Sequence, residues 1–592
     1  MCRRSGGSVY GTLISILFIF KVSAPAQAQA LPESVTALIE QLAEQGSEAE
    51  ALVRYYEGLL HSPLNLNAAS RAQLEETRLF TLFQVESLVA WRERYGGIRS
   101  AMELSLVEGF SQEQVAELRP FLDFGDPAPR NVLSQTYTAR FRKKWRQEGF
   151  SLTTKAVCEK PAWSVGAVVD NDPQERFPDF VSVSGRYKGL YLGDFTARFG
   201  QGLVWWQAFP MTVFGAPSGV ARRGNGLQEY RSTDEANFLR GAGYVHQAGR
   251  LTVSAFASYN ALDARIEDGR YTSIVTGGLH TTEADRAKRH TMHELAAGAN
   301  VSYAFGRWRL GVTGALYRYD KRNGRRIQDY NRYQQYDGLW GNLGLDWYGS
   351  LGSVRVYGEA AVDAHRAPAV IAGVLWSPSY GFETSLTLRC YAPSYIAAHA
   401  GAWSSLSSVS NQIGGVYALQ AIRGPWTFRL NADYAYHPWK RYRQDAGSST
   451  FKARVQVLRS FRGGAEAECQ LAWSSRLKGR LRVTVPAGDA WHFSLRAEAN
   501  RGGAAGYADV RWSPSHKWDL SARATIWKTD DWDSRIYFYE RGVPQSFSVE
   551  ACSGKGIGAY LTAKYAPTQR VEMWVKLQQG YAAYFVRIFI PG

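Results

Sequence analysis

From about residue 132 to its end, the chain keeps a two-residue period of apolar and polar side chains in runs long enough to cross a bilayer. Trp426, Phe428, Leu430, Ala432, Tyr434 and Tyr436 share one face of an extended segment, and Thr427, Arg429, Asn431 and Asp433 take the other. Trp491, Phe493, Leu495 and Ala497 oppose His492, Ser494, Arg496 and Glu498. Trp518, Leu520, Ala522, Ala524 and Ile526 oppose Asp519, Ser521, Arg523 and Thr525. Runs of about 9–11 residues suit tilted transmembrane strands, and aromatics gather at the run ends as an interfacial girdle requires. Turn signals at 246–250, 305–308, 350–354, 422–426 and 461–466 separate such runs.

Alternation alone also fits a soluble β-sandwich, which buries one strand face and wets the other. A stretch of this size would then have to divide into several packed domains, and no linker after residue 131 marks a division. A closed barrel needs no such division. The expected fold is mainly β: a large antiparallel transmembrane β-barrel over 132–592, preceded by a small all-α domain. At about 20 residues per strand and connection, about 22 strands are predicted, the number being even. Residues 584–590 alternate to the end, as a barrel-closing strand would.

Ahead of the barrel the signals change. Arg3 and Arg4, the apolar run from Val9 to Val22 and the small residues from Ala24 to Ala30 read as a signal peptide over 1–30. The run falls short of the ~20 apolar residues of a membrane anchor. Residues 31–62 read as a helical extension, with Val35, Leu38, Ile39 and Leu42 at helical spacing. Residues 63–124 form a second helical unit, and 125–131 (GDPAPRN) a Pro/Gly linker. The expected location is the bacterial outer membrane, with the N-terminal domain in the periplasm and outer-membrane lipid or lipopolysaccharide as surroundings.

The net charge of +16 hides an opposition: residues 1–30 carry +3, residues 31–124 carry −8, and the remainder +21. A cationic lumen or rim would draw anionic solutes, lipopolysaccharide or nucleic acid through its field. Cys158, Cys390, Cys469 and Cys552 are scattered and read as incidental strand residues, with neither disulfide nor zinc spacing.

An enzyme is not expected. There is no G-x-S-x-G, no dinucleotide or phosphate loop, and HTMHE (290–294) is not H-E-x-x-H. On a strand, His290 and His293 would face opposite sides. No catalytic residue, cofactor, metal site or small-molecule substrate is therefore assigned. Two stretches break the strand rhythm: 266–294, which holds His280, His290 and His293, and 206–240. In the second, Arg222, Arg223, Arg231 and Arg240 accompany Asp234 and Glu235, which suits either an inward constriction or plug, or an extracellular loop.

Residues 63–122 carry a more specific pattern: LNLNAAS, in which Ser70 can cap a helix through Gln73 and Leu74; the helix QVESLVAWRERYG; IRS before a helix with Met102 and Leu104; and a closing LRPFL. In this order they resemble the tandem helix-hairpin-helix domain of the competence protein ComEA. The resemblance implies non-specific DNA binding, with hairpin backbone N–H groups on phosphates and nearby arginines adding charge. Carried over, the candidates are Gly109, Phe110 and Ser111 with Arg92, Arg94 and Arg99. The first hairpin, Arg78-Leu79-Phe80-Thr81, has lost both glycines, and the second keeps only Gly109. Those losses and the negative charge favour packing or contact with another envelope protein over DNA. The domain is also too short and too helical to resemble the plug of an energy-coupled transporter. The stretches FGQGLVWW, EYRSTDEANFLRGA and GLHTTEADRAKRHTMHELAAGANVSY resemble an uncharacterised family of Gram-negative outer-membrane β-barrels with such an N-terminal domain. Together these imply an outer-membrane pore or scaffold, with DNA uptake as one branch and an envelope interaction protein as the alternative.

Overall fold

The computed structural model describes residues 56, 59, 63–77, 79–110, 112–125, 133–207, 214–515, 517–546 and 549–591. The expected signal peptide, nearly all of the extension and residues 126–131 of the linker lie outside these.

Among the described residues, twenty-four antiparallel strands close into one barrel. The first, Ser134–Lys144, pairs along its length with the last, Tyr581–Pro591, from Ser134 opposite Pro591 to Lys144 opposite Tyr581. No barrel edge is left to pair with another chain. The expectation of about 22 was too low because it assumed one repeat length throughout. Connections at one end are tight turns, such as 249–250, 306–307, 352–353, 380–381 and 424–425. Both barrel termini lie at this end, whereas the long connections (171–179, 199–238, 392–411 and 530–554 among them) lie at the other.

The strand alternation sorts into an outer apolar band and an inner polar wall. Leu495 is 60 % exposed on the outside, while its neighbour Arg496 is 5 % exposed within. Val301, Leu345, Val374, Leu386, Leu471 and Ile526 also point outward and exposed, the surface that a hydrocarbon core would cover. On the inside the arginines find carboxylates: Arg389 with Asp433 (2.7 Å), Arg480 with Glu498 (2.8 Å), Arg511 with Asp519 (2.7 Å) and Arg523 with Asp509 (2.5 Å). These inward arginines are thus paired with carboxylates of nearby strands, although the barrel keeps its net positive charge.

The lumen is filled by the chain itself. Segment 199–238 enters from the long-connection end, and its Phe199, Leu203, Val204 and Trp205 pack against wall residues including Phe256, Tyr317, Ala361, Ile371 and Val416. Buried Glu359 holds it there, accepting the N–H groups of Gln201 (2.6 Å) and Leu203 (3.0 Å). Gly200 permits this approach: its φ is +56°, and a Cβ there would stand 2.6 Å from the Glu359 carboxylate. Segment 392–411 folds in beside it, with Tyr395 Oη donating to the Leu203 carbonyl at 2.9 Å. A third connection, 530–554, carries a hairpin of strands Ile536–Tyr539 and Val549–Cys552 down the lumen. Its Arg541 pairs at 2.9 Å with Asp519, beside a tight turn, so this connection reaches through to the opposite end.

Among the described residues, four helices precede the barrel: α1 (Arg71–Glu76), α2 (Leu82–Tyr95), α3 (Ala101–Leu104) and α4 (Gln112–Leu118). Ser70 with Gln73 and Thr81 with Gln84 form capping boxes that start α1 and α2, and Gly96, at φ +81°, ends α2. The LNLN stretch closes the unit on itself: Leu64–Asn65 pairs in parallel with Leu122–Asp123. Asn67 bonds the Ile98 carbonyl (2.9 Å) and N–H (2.8 Å) through its side chain. Leu74, Val85, Leu88, Ile98, Leu104, Val107 and Phe121 make the core, and Tyr539 from the lumen hairpin completes it.

Candidate functional site

The helices dock against the inner wall at the tight-turn end. Glu75, on α1, stands between two cationic side chains: Arg355 Nη1 lies 2.5 Å from Glu75 Oε1, and Arg223 Nη1 lies 3.1 Å from Oε2. Tyr348 Oη donates to Glu75 Oε2 at 2.9 Å, and Arg355 also reaches Glu86 of α2 at 3.2 Å. Arg355 belongs to wall strand Val354–Asp363 and Arg223 to the inward segment, so one helical carboxylate ties wall and lumen filling together. Apolar contact supports the charges. Leu82 packs with Tyr348, Tyr357 and Leu375, and the Phe83 and Tyr380 rings meet at 6.4 Å.

The start of α2 has its own partner. Leu82 N–H donates to Glu383 Oε1 at 3.2 Å, and Glu383 Oε2 accepts Ser218 N–H at 3.3 Å. A carboxylate is the ligand that a helix N-terminus favours, since free N–H groups and the helix dipole both attract negative charge. Here a side chain of the barrel wall occupies that position.

The residues singled out for DNA do not converge. Gly109, at φ +96°, turns its carbonyl onto Gln84 Nε2 (2.8 Å) near the start of α2, and Phe110 is buried against Phe80. Ser111 lies outside the described residues. Arg92 and Arg94 are in the last turn of α2, away from Gly109. Arg92 Nη1 donates to the Leu66 (2.8 Å) and Ala69 (2.7 Å) carbonyls, holding the fold of the unit. Arg94 and Arg99 are exposed.

The arginines of 206–240 are spread over the inward segment and, for Arg240, the wall strand Leu239–Ala248, and each finds a partner other than Asp234 or Glu235. Arg222 is buried, donates to the Gly401 carbonyl and lies over the Trp206 ring. Arg223 pairs with Glu75, as above. Arg231 bridges Glu159 (3.2 Å) and Glu229 (3.3 Å), and Arg240 grips Asp194 through two bonds of 2.7 and 2.9 Å. Asp234 accepts the Ala236 N–H at 2.9 Å and the Asn237 amide at 2.6 Å, forming a local turn. Glu235 instead faces a cavity, where burial beside Asp179 and Glu175 pushes its carboxyl well above the usual range.

That cavity, of about 700 Å³, opens at the long-connection end and is lined by Trp206, Arg240, Asp263, Arg289, Glu294 and Lys452 among others. A second, of about 340 Å³, lies toward the tight-turn end between α2, segment 214–219 and wall residues Arg429, Arg454, Gln456, Glu466 and Arg482. Lys452 and Arg454 are two positions apart on strand Ser448–Ser460, so the two cavities approach within about 7 Å along one inner face. At this level Asn431, opposite Arg454, donates its amide to the Gly215 carbonyl at 3.0 Å. A polar track therefore runs along the wall and is crossed by the inward segment.

Glu75, Glu383 and Arg355 were absent from the sequence expectations. Each acts through a partner more than a hundred positions away, and nothing local distinguishes Glu383 from other inward-facing polar residues of a strand.

No protein-family description and no curated protein matches the chain. Among solved structures, it is similar to the translocation pore of the P pilus usher PapC, at 12 % identity and TM-score 0.33 over 78 % of this chain and 99 % of that one. It is similar to the siderophore receptor PirA from Acinetobacter baumannii, at 7 % identity and TM-score 0.40 over 78 % and 81 %. It is also similar to the FrpB iron transporter from Neisseria meningitidis, at 8 % identity and TM-score 0.35 over 78 % and 82 %.

Proposed function

We propose that the protein is an outer-membrane channel closed by its own chain, with the helical domain as the movable part of the closure. The observation that carries this reading is Glu75, which joins the helical domain to the wall through Arg355 and to the lumen filling through Arg223. An outer-membrane location follows from the closed barrel with an apolar outer band, since only a membrane would cover that surface. Tight turns mark the periplasmic end of such barrels, which supports a periplasmic side for the docked helices. The two cavities on one polar inner face give the channel its route. The paired inward arginines and carboxylates suit this route to polar solutes.

The helical domain then works as a docking unit of helix-hairpin-helix design, turned toward protein. Glu383 at the start of α2 and the use of Arg92 within the fold both support contact with the barrel over contact with DNA. The test is proteolysis of full-length protein in outer-membrane vesicles opened to the periplasmic side. The helical domain should resist digestion in the wild type and become sensitive in Glu75→Arg, which sets like charges against Arg223 and Arg355. Equal sensitivity of both proteins would refute the docked closure.

A further inference from the structure

At the long-connection mouth, a histidine and four carboxylates from separate parts of the chain meet beside the cavity, and Asp179, Glu235 and Asp263 line it. Glu175 and Asp179 come from connection 171–179, His280 from the segment after strand Arg270–Val275, and Glu235 from the inward segment. Asp263 comes from strand Leu251–Glu267. The His280 side chain is 4 % exposed, and its Nε2 stands 2.6 Å from Asp263 Oδ2. An ionised carboxylate only accepts, so Nε2 carries a proton toward Asp263, and in the neutral ring Nδ1 is the nitrogen that presents a lone pair. Nδ1 faces Glu175 Oε2 at 3.7 Å and Asp179 Oδ1 at 3.5 Å. All three atoms are buried without a hydrogen-bond partner, and they lie within 4.8 Å of one another.

Buried acceptors crowded at one point are costly unless a shared proton or a cation sits between them. Glu175 Oε1 is already used, accepting the His280 N–H at 2.6 Å, which leaves Oε2 turned inward. Arg289 flanks Asp179 from one side, with Nη1 3.3 Å from Oδ1 and Nη2 donating to the Asp179 carbonyl. Ligands about 2.0–2.2 Å from a tetrahedral ion stand roughly 3.3–3.6 Å apart, close to the spacings around Nδ1.

We propose that Glu175, Asp179 and His280 bind a transition-metal dication of the Zn²⁺ class at the mouth of the barrel. One imidazole nitrogen with two carboxylates suits such an ion better than Ca²⁺ or Mg²⁺, which take oxygen ligands alone. Asp263 is the positioning carboxylate, holding the tautomer and ring orientation. Asp179 and Glu235 line the cavity, which supplies an entry path and room for a fourth ligand or water. A bound ion would join two connections beside the inward segment and hold the mouth in shape. This site is independent of whether the helical domain gates the barrel.

The test uses the full-length protein in detergent, stripped with chelator and titrated with Zn²⁺ alone, then with Ca²⁺ and Mg²⁺. One saturating equivalent of Zn²⁺ per chain is expected, and Co²⁺ in its place should show the visible absorption of a tetrahedral nitrogen–oxygen site. His280→Ala and Glu175→Gln should weaken binding at least a hundredfold, and Asp263→Asn about tenfold to a hundredfold. His246→Ala, on the outer face, should leave it unchanged. Heat-modifiable gel migration checks that each barrel is folded; if His280→Ala does not fold, the near-isosteric Glu175→Gln decides. Absence of saturable Zn²⁺ binding, binding indifferent to these substitutions, or equal affinity for Ca²⁺ would overturn the proposal.

Discussion

Arg355 on the barrel wall and Glu75 on α1 stand 2.5 Å apart, and the Arg355 side chain is only 2 % exposed. The pair joins residues 280 positions apart in the chain and sets a buried wall cation against a carboxylate of the helical domain. Removing one partner of such a pair costs about 3–5 kcal/mol, because the other charge stays buried. Glu75→Ala and Arg355→Ala should therefore each loosen the docked domain strongly, while the double variant should do little more than either alone. A double-mutant cycle on domain release, followed by protease sensitivity, measures this coupling. Additive effects would show that the two side chains act separately.

Glu383 accepts one N–H from α2 and one from the inward segment. Hydrogen bonds to a charged group contribute about 1.5–3 kcal/mol each. Glu383→Ala should raise hydrogen exchange at both Leu82 and Ser218, whereas Glu383→Gln, which keeps an acceptor oxygen, should raise it less. A change confined to one of the two amides would mean that Glu383 does not link the elements.

Tyr539 fills the helical domain's core from a hairpin that belongs to the barrel. Truncating a buried aromatic side chain costs about 3–5 kcal/mol. Tyr539→Ala should lower the thermal stability of the helices while leaving the heat-modifiable barrel intact. Unaltered helix melting would show that the hairpin merely touches the domain.

Full-length protein should not retain duplex DNA even at low salt, since a wall carboxylate occupies the start of α2 and Arg92 is used within the fold. Retention that falls steeply with added salt would instead mark phosphate contacts, and would restore the DNA branch.

The barrel was readable in the sequence because a membrane strand must alternate: Trp426 to Tyr436 and Trp491 to Glu498 divide outward and inward as their order predicts. The turn signals, the closing strand and the Ser70 cap were legible for the same reason, each being a local requirement of chain geometry. The filling of the lumen was not. Segment 199–238 is held by Glu359, and the helices by Glu383 and Arg355, all of them ordinary inward-facing residues of alternating strands. The mouth cluster was equally hidden, since Glu175 and His280 are 105 positions apart and no short motif joins them. Attention to His290 and His293 missed it: His293 stacks on Tyr259 at the outer face, His290 lines the cavity outside the cluster, and the clustered histidine is His280.

Single-channel recording on full-length protein in planar bilayers tests the self-closed channel most directly. The predicted result is a wild type that is almost silent and a Glu75→Arg variant that conducts in discrete, long-lived steps. A wild type that conducts as freely as the variant, or a variant that stays silent although protease shows its helices released, would contradict it.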